Sequence, residues 1–257
     1  MISNKNFIAL LVFSFFIFSC KKDDGSTSEP VSNIHLDQGL LAYYPFSGNI
    51  NDQSGHNLNG TIDGGSLTYD EHGYSNNAFN CNGNPDRIIV SNNGSLTFDS
   101  AFSISFNVMI RSIGRQNFIA IVDNETGKGP SFALGTNLPG NPNMNFGVPY
   151  SSNSCDSYSS DATTLNNTSS FQLQPESWYN IVCMFSSGIS SIYINGDLVS
   201  AKTSTDNMAH VCPDSELIIG GWWKTDPTSL NGKIDEVRIY NRSLNAPEIA
   251  ELAKNFD

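Results

Sequence analysis

The chain has 257 residues, with 25 acidic against 13 basic side chains and a formal net charge of −12. This excess of carboxylates argues against nucleic acid as a partner, because phosphate binding depends on basic side chains. Charged residues make up only 15% of the chain, and its many Gly, Asn, Ser and Thr residues are typical of a β protein with many turns. We expect one large domain, spanning residues 36–257.

The N-terminus carries an apolar segment from Phe7 to Phe18 that follows a single basic residue, Lys5. The segment is too short to span a bilayer comfortably and is built like a secretory signal peptide, so we expect removal of residues 1–19. The run Ile17-Phe18-Ser19-Cys20 resembles a bacterial lipobox, which implies that Cys20 carries the lipid. Acyl chains contribute about 0.8 kcal/mol per buried methylene, so several would hold the protein on a membrane. The alternative is an ordinary leader with a chance cysteine.

Residues 20–35 are predicted to form a flexible tether, because they are polar and lack the apolar side chains needed for a core. Within them, Lys22-Asp23-Asp24 resembles the acidic signal that some Gram-negative bacteria place after the acylated cysteine. The resemblance implies an outer-membrane lipoprotein that faces the cell exterior. The alternatives are a linker without an address and an anchor on the periplasmic face.

Alternating apolar and polar side chains at residues 102–110 predict a strand with one buried face. Shorter runs predict further strands at residues 40–46, 88–90, 118–122, 132–134, 178–185, 189–194, 217–219 and 237–240. The segment from Leu138 to Asn167 contains three prolines and many polar residues, which predicts a long irregular insertion. Asn195-Gly196 is a strong hairpin signal, because both residues tolerate positive φ.

Only the end of the chain has helical signals. Asn245-Ala246-Pro247-Glu248 combines an N-cap residue, an early proline and a Glu at the capping-box position. Ile249 and Leu252 then share one side of the predicted helix. The sequence therefore predicts an all-β fold, a two-sheet antiparallel sandwich with a short C-terminal helix.

Four cysteines follow Cys20 and allow three complete pairings. Cys81 and Cys183 lie within apolar strand patterns, which predicts two small buried side chains. Because the compartment is expected to be oxidising, we favour a disulfide between Cys155 and Cys212. A zinc site with four cysteine ligands is disfavoured, since the sequence has no C-x-x-C spacing.

Several blocks, taken in order, resemble laminin-G-like domains of the concanavalin A-like lectin/glucanase superfamily. The blocks are Gly39–Gly55 with Asn59–Thr61, Trp178–Val182, Ile192–Gly196, Ile218–Gly220, Gly232–Arg242 and Leu244–Leu252. The resemblance implies a jelly-roll sandwich whose first and last strands are neighbours.

The resemblance also implies a structural Ca²⁺, with Asp52, Asn59 and Asp235 at the matching positions. Hard oxygen ligands suit calcium, and neighbouring terminal strands could bring one carboxylate each to a single ion. The alternative is a capped turn at Asp52 and a surface salt bridge at Asp235.

Sugar binding in this superfamily uses aromatic platforms with a few amide or carboxylate groups. Trp222 and Trp223 follow a predicted strand, and Tyr150 and Tyr158 lie in the predicted insertion, so these four are the candidate ligand-binding residues. The alternative for both tryptophans is packing against the sandwich.

The sequence argues against an enzyme. Retaining glycanases need two carboxyl groups about 5 Å apart, and neither the E-x-D-x-x-E pattern of the superfamily's glycanases nor the strands of its lyases occur here. We therefore interpret the chain as a lipid-anchored cell-surface binding module for carbohydrate. The alternatives are a protein-binding or adhesive module that recognises a cell-surface protein, a structural subunit of a surface complex and, with less support, a glycoside hydrolase or polysaccharide lyase.

Overall fold

The computed structural model describes residues 34–98, 100–127, 132–138, 141–149, 155, 164–205, 211–212 and 215–256. Within these ranges the chain folds into two antiparallel sheets and one short helix, which confirms the predicted fold class. No helix in the described ranges is long and apolar enough to cross a membrane. Cys20, Tyr150 and Tyr158, three of the predicted functional residues, lie outside them.

In chain order the elements are β1 (Leu40–Tyr44), β2 (Thr61–Asp63), β3 (Ser66–Thr68), β4 (Ala78–Asn82), β5 (Arg87–Ser91), β6 (Ala101–Ile110), β7 (Gln116–Val122), β8 (Phe132–Leu138), β9 (Asn141–Pro149), β10 (Thr164–Gln172), β11 (Trp178–Ser186), β12 (Ile189–Ile194), β13 (Asp197–Thr203), β14 (Glu216–Ile219), β15 (Asn231–Tyr240) and α1 (Ala246–Ala253). The first sheet has the order β13-β12-β11-β6-β15-β4-β3, and the second β10-β9-β8-β7-β14-β5-β2. Strand β1 pairs with β15, so the first and last strands are neighbours, as the sequence resemblance implies.

The core between the sheets is rich in aromatic side chains. Phe102 on β6 lies 4.6 Å from Phe98 and 4.8 Å from Phe132 of the second sheet, measured between ring centroids. All three rings are buried. Burying one such side chain contributes about 1.5–3 kcal/mol, so this cluster is a main link between the two sheets.

Strand β6 is buried on both faces, whereas its alternation predicts one buried face. Ser103, Ser105 and Asn107, the polar members of the pattern, are at most 4% exposed. Ser103 Oγ donates to the carbonyl of Arg242 and accepts from the amide of Leu244, because the segment leading into α1 covers this end of the sheet. Hydrogen bonds thus satisfy Ser103 and Asn107, which the sequence pattern assigns to solvent, whereas Ser105 Oγ is buried without a hydrogen-bond partner among the described residues.

The predicted insertion at residues 138–167 is wrong at both ends, because β9 occupies residues 141–149 and β10 begins at Thr164, and both strands extend the second sheet. Met144, Phe146 and Val148 alternate along β9 and are buried in the core. Pro142 and Pro149 lie near the two ends of this strand, where they interrupt little of the hydrogen-bond ladder. In the sequence, prolines at these positions are typical of a loop and obscure the alternation of apolar residues between them. The other predicted strands all overlap observed ones.

The hairpin and the disulfide predicted from the sequence are both present in the structure. Asn195 and Gly196 have φ values of 51° and 85° and connect β12 to β13, which confirms the predicted hairpin. Cys155 and Cys212 form a disulfide, as the sequence interpretation favours. Cys81 and Cys183 are free and buried.

Helix α1 is the last element in chain order and packs on the outer face of the first sheet. Asn245 caps it, and the Glu248 carboxylate completes the predicted capping box by accepting from the amide of Asn245. The same carboxylate pairs with Arg242 at 2.7 Å, and Arg242 also donates to the carbonyls of His35 and Gln38. Through these hydrogen bonds, Arg242 connects the first described residues to α1.

Replacing Glu248 with Gln should lower the free energy of unfolding by about 2 kcal/mol, the value of a hydrogen bond to a charged group. Burial raises the pKa of Glu248, but hydrogen bonds from Arg242 and Asn245 outweigh burial, so the pKa lies below its usual 4.5. A lowered carboxyl pKa stabilises the fold above the unfolded-state pKa, and this contribution disappears as the pH falls below it. The difference between the wild type and Glu248→Gln in urea unfolding should therefore shrink below pH 4.5. A constant difference from pH 7 to pH 3 would contradict this assignment.

Candidate functional site

The outer face of the second sheet carries a shallow groove of about 120 Å³, here called the Trp222 groove. Its lining comes from the start of β7, from β8, β9 and β10, and from the loop after β14. The residues that matter below are Arg115, Asn117, Gly135, Asn145, Asn166 and Trp222.

Strand register brings the polar groups of the groove into one row. Asn117 lies opposite Gly135, and Gly135 lies opposite Asn145 on the next strand. A Cβ atom at Gly135 would meet the carbonyl oxygen of Gln116 at 1.9 Å, so the fold requires glycine here. The missing side chain keeps the floor of the groove low between the two asparagines.

Hydrogen bonds hold the two amides of this row. Asn117 Nδ2 donates to Thr228 Oγ1 at 2.6 Å, and Asn145 Oδ1 accepts from Thr168 Oγ1 at 2.8 Å. An amide has both donor and acceptor groups, so each side chain keeps capacity for further hydrogen bonds. A row of oriented amides on a strand surface can recognise hydroxyl groups.

Trp222 lines the groove, whereas Trp223 does not. The two rings lie 4.3 Å apart at 60°, and both pack on a small apolar cluster of β7 and β14 outside the main core. A Cβ atom on Gly127 would meet the Trp223 ring at 2.9 Å, and the Trp223 indole N–H donates to Thr225 Oγ1. Both tryptophans are half-buried against this cluster, and Trp222 is the one of the two that lines the groove.

The loop that carries Trp222 is braced by its own hydrogen bonds. The amide of Lys224 donates to the carbonyl of Asn124, and the amide of Asp226 donates to the carbonyl of Trp223. The Asp226 carboxylate in turn accepts from the amide of Thr228 at 2.8 Å. This bracing holds the indole in place before any ligand arrives, which lowers the entropic cost of binding.

A second concave site, here called the acidic cleft, lies on the first sheet and has a volume of about 430 Å³. Asp70 and Glu71 follow β3, and Asp235 lies on β15. Each of these three side chains offers a carboxylate oxygen within 4.8 Å of the others. Glu236, next along β15, has a φ of 53° at an irregularity in the β15–β6 pairing.

Local hydrogen bonds position the three carboxylates. Asp70 accepts from the amides of His72 and Tyr74, and Glu71 Oε1 accepts from Asn107 Nδ2 at 3.0 Å. Glu71 Oε2, however, is buried and has no hydrogen-bond partner. A buried carboxylate oxygen without a partner is costly, so this atom is suited to a bound cation.

The electrostatics of Asp235 are unusual for a carboxyl group. Burial, together with the charges of Glu236, Glu71 and Asp70, raises its pKa from 3.8 to about 9. The described residues include no basic partner in an ion pair with Asp235, which is 4% exposed. The surface salt bridge considered for this residue is therefore wrong.

The predicted grouping of Asp52 and Asn59 with Asp235 is also not found. Asp52 accepts four hydrogen bonds, from the amides of Tyr43, Ser54 and Leu58 and from Ser54 Oγ, at 2.8–3.0 Å. Partial burial raises the pKa of Asp52, but these bonds lower it to below its usual value. Asn59 Oδ1 accepts from the amide of Asp52. These residues build their own loop, as a capped turn does, and Asp52 does not line the acidic cleft.

The acidic cleft fits a calcium ion by its donor set. Calcium takes about six to eight oxygen ligands, and carboxylates bind it through one or both oxygens. Asp70, Glu71 and Asp235 would hold the ion. The ion would be the positively charged partner that Asp235 and Glu71 Oε2 do not have among the described residues. Sequence reasoning missed Asp70 and Glu71, because only the fold brings this loop against β15.

The two packed antiparallel sheets, with the first and last strands paired in one of them, are consistent with a jelly-roll sandwich of the concanavalin A-like type. The family model Laminin_G_3, described as Concanavalin A-like lectin/glucanases superfamily, matches residues 82–250. The match covers more than half of the chain, so the protein belongs to this family. A search of curated proteins found no match to the chain.

Solved structures with the same fold include a domain of an extracellular arabinanase and the binding domains of toxins. Domain 4 of AbnA, a GH43 extracellular arabinanase from Geobacillus stearothermophilus, was solved in complex with arabinotriose. It has a TM-score of 0.58 at 19% identity, over 83% of this chain and 98% of that one. The binding domain of Paraclostridial Mosquitocidal Protein 1 has a TM-score of 0.64 at 18% identity, over 86% and 53%.

The binding domain of Botulinum Neurotoxin DC, solved in complex with SialylT, has a TM-score of 0.58 at 16% identity. The likeness covers 87% of this chain and 53% of that one. This chain therefore spans about half the length of either toxin domain. At such identities these likenesses show the fold.

Proposed function

We propose that the protein is a carbohydrate-binding module and that its binding site is the Trp222 groove. The observation that carries the proposal is the placement of a braced tryptophan beside a row of amides that crosses neighbouring strands. The complexes of two proteins of the same fold, one with arabinotriose and one with SialylT, support it by analogy.

The groove suits sugar chemistry because it combines apolar and polar contacts. The exposed part of the Trp222 ring can pack against the apolar C–H face of a sugar ring. Asn117 and Asn145, with Asn166 at the edge strand, can exchange hydrogen bonds with hydroxyl groups. Each hydroxyl can donate and accept, which matches the two functions of an amide.

We propose that binding occurs without catalysis. Glycoside hydrolysis usually needs one carboxyl group as acid and a second as nucleophile or base on either side of the scissile bond. Among the described residues, none that lines the Trp222 groove is acidic. The carboxylates of the acidic cleft lie on the other sheet, and Asp235 is too deeply buried to reach a glycosidic bond.

We propose a structural role for the acidic cleft, as a calcium site formed by Asp70, Glu71 and Asp235. Asp235 belongs to β15, the strand that pairs with β1, β4 and β6. An ion held there would fix the loop after β3 to the centre of the first sheet. Calcium therefore serves the scaffold in this proposal, and the glycan binds elsewhere.

We also propose that Cys20 anchors the mature protein in the outer membrane with the domain facing the cell exterior. The support is the apolar leader before Cys20 and the acidic run after it. Replacing Cys20 with Ser should move the protein from the membrane pellet to the soluble fraction, because the lipid lacks its attachment point. Mass spectrometry of the wild-type N-terminal peptide should show the acyl chains. Membrane retention of the Ser variant would contradict the proposal.

A glycan panel tests carbohydrate binding directly. The purified protein is titrated with neutral and acidic oligosaccharides, and heat and indole fluorescence are followed in parallel. We expect selective binding that Trp222→Ala weakens. No binding to any member would count against the proposed function and favour a protein partner.

A further inference from the structure

We propose that the Trp222 groove selects acidic saccharides and that Arg115 binds the carboxylate of the sugar. This inference rests on the proposed carbohydrate function and narrows it to one substrate class. Arg115 lines the groove next to Trp222, with its guanidinium carbon 5.5 Å from the centroid of the Trp222 ring. It is therefore placed where a ligand that packs on the indole would meet a positive charge.

Arg115 differs from the other arginines in that, among the described residues, it has no hydrogen-bond or ion-pair partner, and its guanidinium lies over the Trp222 ring. Three of them form ion pairs: Arg87 with Asp63, Arg238 with Glu236, and Arg242 with Glu248. Arg111 donates to the carbonyl of Cys81 and to the side chain of Asn80. Arg115 is exposed and makes no hydrogen bond or ion pair with any described residue. Its guanidinium is available for a ligand.

The surroundings of Arg115 favour an anion over a cation or a neutral group. The protein carries a net charge of −12, yet the described lining of the groove contains no Asp or Glu. The acidic cleft shows the opposite composition, with Asp70, Glu71, Asp235 and Glu236 in its lining. Lys202 does not line the groove, but its Nζ donates to the carbonyl of Asn166, a lining residue, at 2.7 Å.

The chemistry of this arrangement suits a carboxylate-bearing sugar. A guanidinium can donate two parallel hydrogen bonds to one carboxylate, with stronger bonds than neutral pairs form. The neighbouring Asn117 and Asn145 amides would then take the hydroxyl groups of the same ring. A uronic acid or a sialic acid offers both kinds of group on a single sugar unit.

The test compares each acidic oligosaccharide with a neutral counterpart by calorimetry on the purified protein. The probes are trigalacturonic acid and sialyllactose, each compared with its own neutral methyl ester. We expect at least one acid to bind about tenfold or more tighter than its neutral partner, the effect of a hydrogen bond to a charged group. Arg115→Gln should remove this preference, and Arg115→Lys should keep part of it.

Lys224→Gln is the matched control, because it removes the same charge two residues from Trp222. Lys224 is exposed, pairs with Glu125 at 2.8 Å and does not line the groove, so this variant should keep the preference for acids. Equal binding of acidic and neutral sugars, or a preference that survives Arg115→Gln, would overturn the inference and leave carbohydrate binding intact. No binding of either kind of sugar, in the wild type or any variant, would overturn the proposed function as well.

Discussion

Trp222→Ala should weaken glycan binding by about thirtyfold, which corresponds to about 2 kcal/mol, the typical cost of truncating a central tryptophan in a binding site. The indole is the large apolar surface of the groove, and its loop holds it in position through main-chain hydrogen bonds. Removing it leaves the amides of Asn117 and Asn145 without an apolar wall beside them.

Two further variants separate the role of the indole from a general effect on folding. Trp222→Phe keeps an aromatic face and should retain most of the affinity. Tyr74→Ala removes an aromatic side chain that is 65% exposed and lines the acidic cleft, so it should leave binding unchanged. Circular dichroism melts of each variant show whether the fold persists. Unchanged affinity in a folded Trp222→Ala protein would contradict the assignment of the groove.

How far the groove can be predicted from sequence depends on which contacts are local. The pair Trp222-Trp223 stands out because two large aromatic residues follow a strand, and this local signal identified the loop. It could not decide which indole reaches the groove, because that depends on Gly127, far away in the sequence. The amide row could not be predicted from the sequence, because Asn117 and Asn145 are aligned only by the register of β7 and β9 on either side of β8.

The same distinction applies to the fold. Alternation, the Asn195-Gly196 turn and the capping box at Asn245 act over a few residues, and each predicted its element correctly. Strand β9 was missed because Pro142 and Pro149 resemble loop residues when the partner strand is unknown. The burial of Ser103 likewise depends on the segment before α1, which lies about 140 residues later.

The structure does not group the predicted calcium ligands Asp52 and Asp235, for a related reason. Asp52 lies in a loop rich in hard oxygen atoms and follows the first strand, so proximity to Asp235 was a reasonable expectation. In the structure its oxygens are engaged by backbone amides, and Asp70 and Glu71 approach Asp235 instead. The sequence carries no mark that separates a carboxylate that caps a turn from one that can bind an ion.

Calcium should raise the melting temperature of the protein, and EDTA should reverse the effect. A ligand present at about a hundred times its Kd stabilises the folded state by about 2.7 kcal/mol. For a domain of this size, about 1 kcal/mol shifts the melting temperature by about 2–4 °C, so we expect a rise of roughly 5–10 °C. Differential scanning calorimetry at pH 8, with added calcium and with EDTA, measures it.

The pH dependence in EDTA adds a second readout for Asp235. Its folded-state pKa of about 9 lies far above the 3.8 of an ordinary Asp, so the folded protein holds a proton that the unfolded chain has released. Stability in EDTA should therefore fall as the pH rises from about 4 towards about 9, because the unfolded chain releases a proton that the folded protein keeps. Calcium would replace this proton, so its stabilising effect should grow over the same range.

Two variants decide which carboxylates hold the ion. Asp235→Asn removes the carboxyl group that takes up the proton, so in EDTA it should flatten the pH dependence, and it should lose the calcium shift. Asp52→Asn should weaken the hydrogen bonds of its loop and lower the melting temperature equally with and without calcium, because Asp52 lies outside the acidic cleft. If Asp52→Asn abolished the calcium shift and Asp235→Asn preserved it, the ion would belong to the loop between β1 and β2. If calcium left the wild-type melting temperature unchanged, the acidic cleft would have no structural ion.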